Sequence, residues 1–250
     1  MIASTTLVVI SFLLKQRFQF DEVRANAKRI LLLGALVGLH FVLFISAVKD
    51  TTILNATVLV NTSPIFAVLI SSFLFKVKPS KLAVVGLITS FLGICLITYG
   101  DTFYALKIGL IGDLEAILAA LAEGFYLNYG RDLRVKLPLL SMVIPIYLVA
   151  AVFVGAFSTL TGVSPTLPNQ LYLITFLIGL GILPTALGHT FYFSSLSNLK
   201  SFETATLALL EPIGATLLGI VIFDEIPLMG FVFGAFLVLS GVVLVVGKAK

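Results

Sequence analysis

Apolar residues in this chain occur as long unbroken runs, at 30–48, 53–75, 82–99, 108–129, 139–160, 171–196, 204–223 and 228–246. Each run is 18 to 26 residues long, which suits the roughly 20 residues that a helix needs to cross about 30 Å of hydrocarbon. Strands of a membrane barrel would alternate apolar and polar residues over about ten positions, so these runs predict helices. A ninth run, 2–14, has 13 residues and is too short to span alone. Lys15 and Arg17 follow this run rather than precede it. It therefore reads as the second part of a span and not as a signal peptide. The longest loop between runs has 15 residues, which leaves no room for a soluble domain.

Composition agrees with that pattern. Hydrophobic residues make up 59% of the chain and charged residues 11%, against about 25% charged in soluble domains. Lipid is therefore the expected solvent. Cys95 is the single cysteine, and no CxxC or Cys/His cluster calls for a metal or cofactor. The net charge of +4 is spread along short loops and does not form a nucleic-acid surface. Fourteen of the 16 Lys and Arg residues lie in alternate loops and the C-terminal tail, while only Lys49 and Lys107 lie in the others. The positive-inside rule then predicts a multi-pass protein of the cell membrane with its C-terminus in the cytoplasm and Met1 outside.

A shift of 148 residues superposes 45–96 on 193–244 without a gap. Ser46 falls on Ser194, Pro64 on Pro212, Pro79 on Pro227, Gly86 on Gly234 and Gly93 on Gly241. Shared apolarity does not align prolines and glycines in register, so two repeats are expected, 1–100 and 101–250. Run 30–48 starts inside while its counterpart 171–196 starts outside, so the repeats are inverted, a common plan for secondary transporters. Under the same shift 139–160 falls on −9 to 12, and 108–129 falls on −40 to −19. The expected fold is thus a ten-helix bundle of inverted repeats whose first helix and part of whose second precede Met1.

Four acidic residues lie inside the runs: Asp113, Glu115, Glu123 and Glu211. A charge at the bilayer centre costs about 2.5–3.5 kcal/mol on insertion scales, so each is a functional candidate. Glu123 and Glu211 are the deeper two. Pro64 and Pro212 each remove a backbone donor near mid-span and predict kinks at equivalent points of the two repeats. Such interrupted helices mark binding sites in transporters. His40 and His189 are nearly equivalent, since His40 shifts to 188. Either can relay protons or satisfy a structural hydrogen bond. Asn61 and Tyr192 are further candidates for lining a cavity.

With Leu210-Glu211-Pro212 in the ninth helix and Phe223-Asp224-Glu225 before the last, the chain resembles the EamA-type members of the drug/metabolite transporter superfamily over about 30–100 and 108–247. In the first repeat Pro64 is kept, but Lys76-Val77-Lys78 stands where the family usually has an acidic turn. The resemblance implies ten helices in two inverted halves and a carrier or exporter of amino acids, metabolites or drugs that works by alternating access. Its partners would be a small solute, the lipid bilayer and a proton or other coupling ion, with a homodimer as a further assembly to test. A non-transporting scaffold or receptor, or a truncated inactive carrier, is the alternative. No GxSG, paired YD and GxGD, or HExxH pattern supports an intramembrane enzyme, and Gly112-Asp113 is only a fragment of one.

Overall fold

The computed structural model describes residues 1–99, 109–163, 168–223 and 229–247. Asp224, Glu225 and Pro227 lie outside the described residues. Among those described there is no strand, and every apolar run falls on one helix or on two or three consecutive helical segments. In chain order these are α1 (Ile2–Leu13), α2 (Phe20–Ala25), α3 (Ala27–Asp50), α4 (Ile53–Val60), α5 (Ser63–Phe73), α6 (Lys81–Tyr99) and α7 (Leu110–Arg134). There follow α8 (Leu139–Leu160), α9 (Leu171–Leu180), a π-helix (Gly181–His189), α10 (Thr190–Ser195), α11 (Ser201–Ala208), α12 (Glu211–Phe223) and α13 (Met229–Val246). Among the described residues six helical segments are long and apolar enough to cross a membrane. Helix α7 has the length, but it carries Asp113, Glu115 and Glu123.

Large apolar side chains stand exposed along these helices, among them Leu31, Phe73, Leu92, Val152, Phe176 and Phe236. In water so much exposed apolar surface would drive association. In a bilayer it is the face toward lipid.

The chain packs as two compact units, Met1–Val42 with Tyr129–Asn198, and Leu43–Asn128 with Leu199–Lys250. Helices α3 and α7 contribute residues to both. The units are interleaved along the chain, whereas the expected repeats are consecutive; packing and sequence kinship thus divide the molecule differently.

In the first unit, α3 approaches α8 through Gly34 and Gly38, where an added Cβ would strike Val149 and Phe153. This is the small-residue spacing that brings membrane helices close. Helix α1 packs on α8 and on the π-helix, burying Ala3 and Leu7.

In the second unit the most extensive contact joins α6 to α13. A Cβ on Gly86 would lie 2.6 Å from the Gly241 carbonyl oxygen, and one on Gly93 would lie 2.7 Å from that of Gly234. Only glycine admits backbones this close. Beside this seam Val58, Ile94, Leu209, Val238 and Val242 form a buried cluster. Helix α11 packs against α5.

Candidate functional site

Two groups of residues carry the polar chemistry, one in each unit. In the second unit the runs at 53–75 and 204–223 are each interrupted just before a proline and continue as a second helix. The first break is Asn61–Thr62 and the second is Leu209–Leu210; a shift of 148 carries one onto the other. The cause is covalent. Pro64 cannot donate to the Val60 carbonyl, nor Pro212 to that of Ala208, and each proline then sits in the first turn of a new helix, where it is tolerated.

The breaks satisfy their backbone by tighter bonds. The Thr62 N–H donates to the Leu59 carbonyl at 3.1 Å, and Leu210 to Leu207 at 3.1 Å. Thr62 Oγ1 donates to the Leu59 carbonyl at 2.6 Å. Asn61 Nδ2 donates to the Thr57 carbonyl at 2.8 Å, so this amide closes the end of its own helix.

Position 63 of the first repeat is Ser63, and its counterpart is Glu211. Glu211 opens α12, where the helix macrodipole favours a carboxylate, and its side chain is exposed. Glu123 is the opposite case, 7% exposed on α7. Gly124 beside it lets α5 approach, since a Cβ there would lie 2.9 Å from Phe66 Cβ.

Farther along α7, Asn128 forms a buried junction that the sequence did not reveal. Its Nδ2 donates to the Ala67 carbonyl of α5 at 3.1 Å and to that of Gly124 at 2.8 Å. Its Oδ1 accepts from Ser201 Oγ of α11 at 2.7 Å. Toward the other end of α7, Asp113 accepts from Thr51 Oγ1 at 2.7 Å and Asn55 Nδ2 at 3.3 Å. Glu203 is a second residue that sequence reading missed, because the apolar run begins one position later. It is 3% exposed and caps α11, its Oε2 accepting the Lys200 N–H at 2.8 Å.

The first unit brings three of the predicted residues together. The His189 ring meets His40 at 6.5 Å between centroids, Phe41 at 5.3 Å and Tyr192 at 6.2 Å, all edge to face. His189 Nδ1 is buried without a hydrogen-bond partner. Nearby, Tyr147 Oη and Thr190 Oγ1 are 3.4 Å apart. His189 ends the π-helix. Hydrogen bonds from i to i+5 widen the turn that leads to this ring. Pro184 and the glycines at 179, 181 and 188 were the available signal for this irregularity.

Among the described residues no cluster of His, Cys, Asp or Glu could hold a metal ion. The two units thus offer carboxylates, imidazoles and interrupted helices.

The profile of the EamA-like transporter family matches residues 1–99 and 110–247. The chain belongs to the EamA-like transporter family. It is also similar to two proteins of Archaeoglobus fulgidus, each described as an uncharacterized transporter. One is 25% identical over 204 residues, covering 81% of this chain and 70% of the relative. The other is 27% identical over 197 residues, covering 77% and 67%. A crystal structure with 19% identity superposes with a TM-score of 0.80, over 97% of this chain and 83% of its own; that likeness concerns the fold. This EamA-like protein is therefore a multi-pass membrane transporter, and its family implies a small-molecule solute and a lipid environment.

Proposed function

We propose that this EamA-like protein is a secondary carrier of small polar metabolites, amino acids or drugs, working by alternating access at the cell membrane. The observation that carries the reading is the pair of helix breaks at Asn61–Thr62 and Leu209–Leu210, placed at equivalent points by the 148-residue shift. Interrupted membrane helices expose backbone groups to a solute and supply hinges.

In this reading Glu211 is the foremost coupling residue. It stands at a break, begins a helix and replaces the serine of the other repeat. Glu123 is its buried companion on α7. His40, His189 and Tyr192 form an aromatic wall in the other unit, with the His189 Nδ1 available to a ligand. Asn61, Pro64 and Pro212 shape the breaks. The distribution of Lys and Arg supports a cytoplasmic C-terminus, and a proton is the coupling ion that carboxylate and imidazole chemistry favours.

Thiol labelling tests the alternating step. Thr62→Cys and Leu210→Cys, each in a Cys95→Ser background, should react with a membrane-impermeant maleimide from either side of sealed vesicles. Labelling confined to one side under all conditions would refute alternating access at the breaks.

A further inference from the structure

The segment between α1 and α3 is tied to the helix bundle. The Gln19 N–H donates to Ser141 Oγ at 3.1 Å, which fastens the start of α2 to the first turns of α8. An open groove of about 480 Å³ runs past α2, α3 and α8. Phe20, Val23, Ala27, Ile30, Leu31 and Pro145 make its lining apolar. The rings of Phe18 and Phe20 pack at a tilt, 4.6 Å between centroids.

Charge distinguishes this groove from the rest of the lipid-facing surface. Asp21 and Arg24 line it as well. Residues 15–29 carry five cations against Asp21 and Glu22. Arg29 is engaged with Asp132 at 2.6 Å, whereas no ion pair holds Arg24 or Lys28 among the described residues.

We infer that the groove holds an anionic phospholipid, with an acyl chain against the apolar wall and the phosphate engaged by Arg24 and Lys28. Basic pockets between membrane helices on the cytoplasmic side suit anionic headgroups. An apolar wall of this extent does nothing for free phosphate, and a neutral lipid leaves both cations unanswered. Placing the site in the inner leaflet rests on the orientation proposed above; the affinity for lipid does not.

Native mass spectrometry of the full chain in neutral detergent, offered equal phosphatidylglycerol and phosphatidylcholine, tests the inference. The wild type should retain phosphatidylglycerol roughly 25-fold over phosphatidylcholine, from about fivefold for each cation. The double variant Arg24→Ala/Lys28→Ala should fall to near parity, while Lys78→Ala, in another basic loop, keeps the preference. Ala27→Trp, which fills the groove from an exposed position, should lower retention of either lipid. Equal retention by the wild type, or a preference that survives in the double variant, would overturn the inference. Displacement of the lipid by soluble glycerol phosphate at matched concentration would overturn it too. Lipid retention is measured without flux or sidedness, so its failure leaves the transport reading and the orientation to their own tests.

Discussion

Ser90 and Val238 are 148 residues apart, and the Ser90 hydroxyl donates to the Val238 carbonyl at 3.3 Å. That separation is the repeat interval, so each residue meets its own counterpart. A local two-fold axis between inverted repeats would produce such a meeting. The glycines flanking this contact obey the same rule. Gly86 faces Gly241 and Gly93 faces Gly234, and exchanging every residue for its counterpart turns the first pair into the second. We propose that the seam between α6 and α13 is where the two inverted repeats meet.

Symmetry makes stability predictions in pairs. Gly86→Val and Gly234→Val each force a side chain into backbone that a Cβ alone would approach within 2.7 Å. Overpacking of this kind costs about 1–3 kcal/mol, and the two variants should lose similar stability. Thermal melting in detergent measures it. A large loss in one variant and none in the other would argue against a symmetric seam.

Asn128 should behave as a junction rather than as an isolated side chain. Asn128→Ala removes the acceptor of the buried Ser201 hydroxyl, at about 1–3 kcal/mol for a buried group left unpaired. Ser201→Ala should cost less, and the double variant should lose less than the sum of the two. A denaturation series over all four proteins decides this, and strict additivity would mean that the 2.7 Å bond contributes nothing.

The helix breaks should matter more to transport than to stability. Pro64→Ala and Pro212→Ala restore a donor to each break and allow a straighter helix. We expect melting temperatures equal to or above that of the wild type, with uptake reduced several-fold. Full transport activity in both variants would reduce the breaks to packing features.

Glu211→Gln mimics a permanently protonated carboxyl. If Glu211 carries the coupled proton, the variant's residual transport should be flat across the pH range in which wild-type transport varies. Vesicle uptake at stepped external pH reads this directly. A variant with an unchanged pH profile would remove Glu211 from coupling.

Much of this fold was legible in the chain because long apolar runs and lipid thickness admit few alternatives. The positions of both breaks were legible as well, since Pro64 and Pro212 forbid particular hydrogen bonds whatever the tertiary context. Their depth was not: how Asn61, Thr62, Leu209 and Leu210 settle their carbonyls depends on packing. The π-helix before His189 escaped notice because Pro184 suits several irregular geometries. Asn128 and Glu203 were hidden for another reason. An amide or carboxylate at the edge of an apolar run looks hydrated until its surroundings are seen: α11 brings Ser201 onto Asn128, and Glu203 folds back onto the Lys200 N–H at the start of its own helix. The aromatic contacts of His40 with His189 were foreshadowed by their near equivalence under the shift, although the repeat does not specify which rings touch.

Solute flux tests the central claim most directly. The purified chain should be placed in sealed proteoliposomes and offered an isotope-labelled mixture of amino acids and small metabolites under an imposed pH gradient. The account predicts that at least one solute crosses several-fold faster than in protein-free vesicles, and that Glu211→Gln removes the response to the gradient. Flux no greater than in protein-free vesicles for every solute, from folded protein inserted in the bilayer, would contradict it.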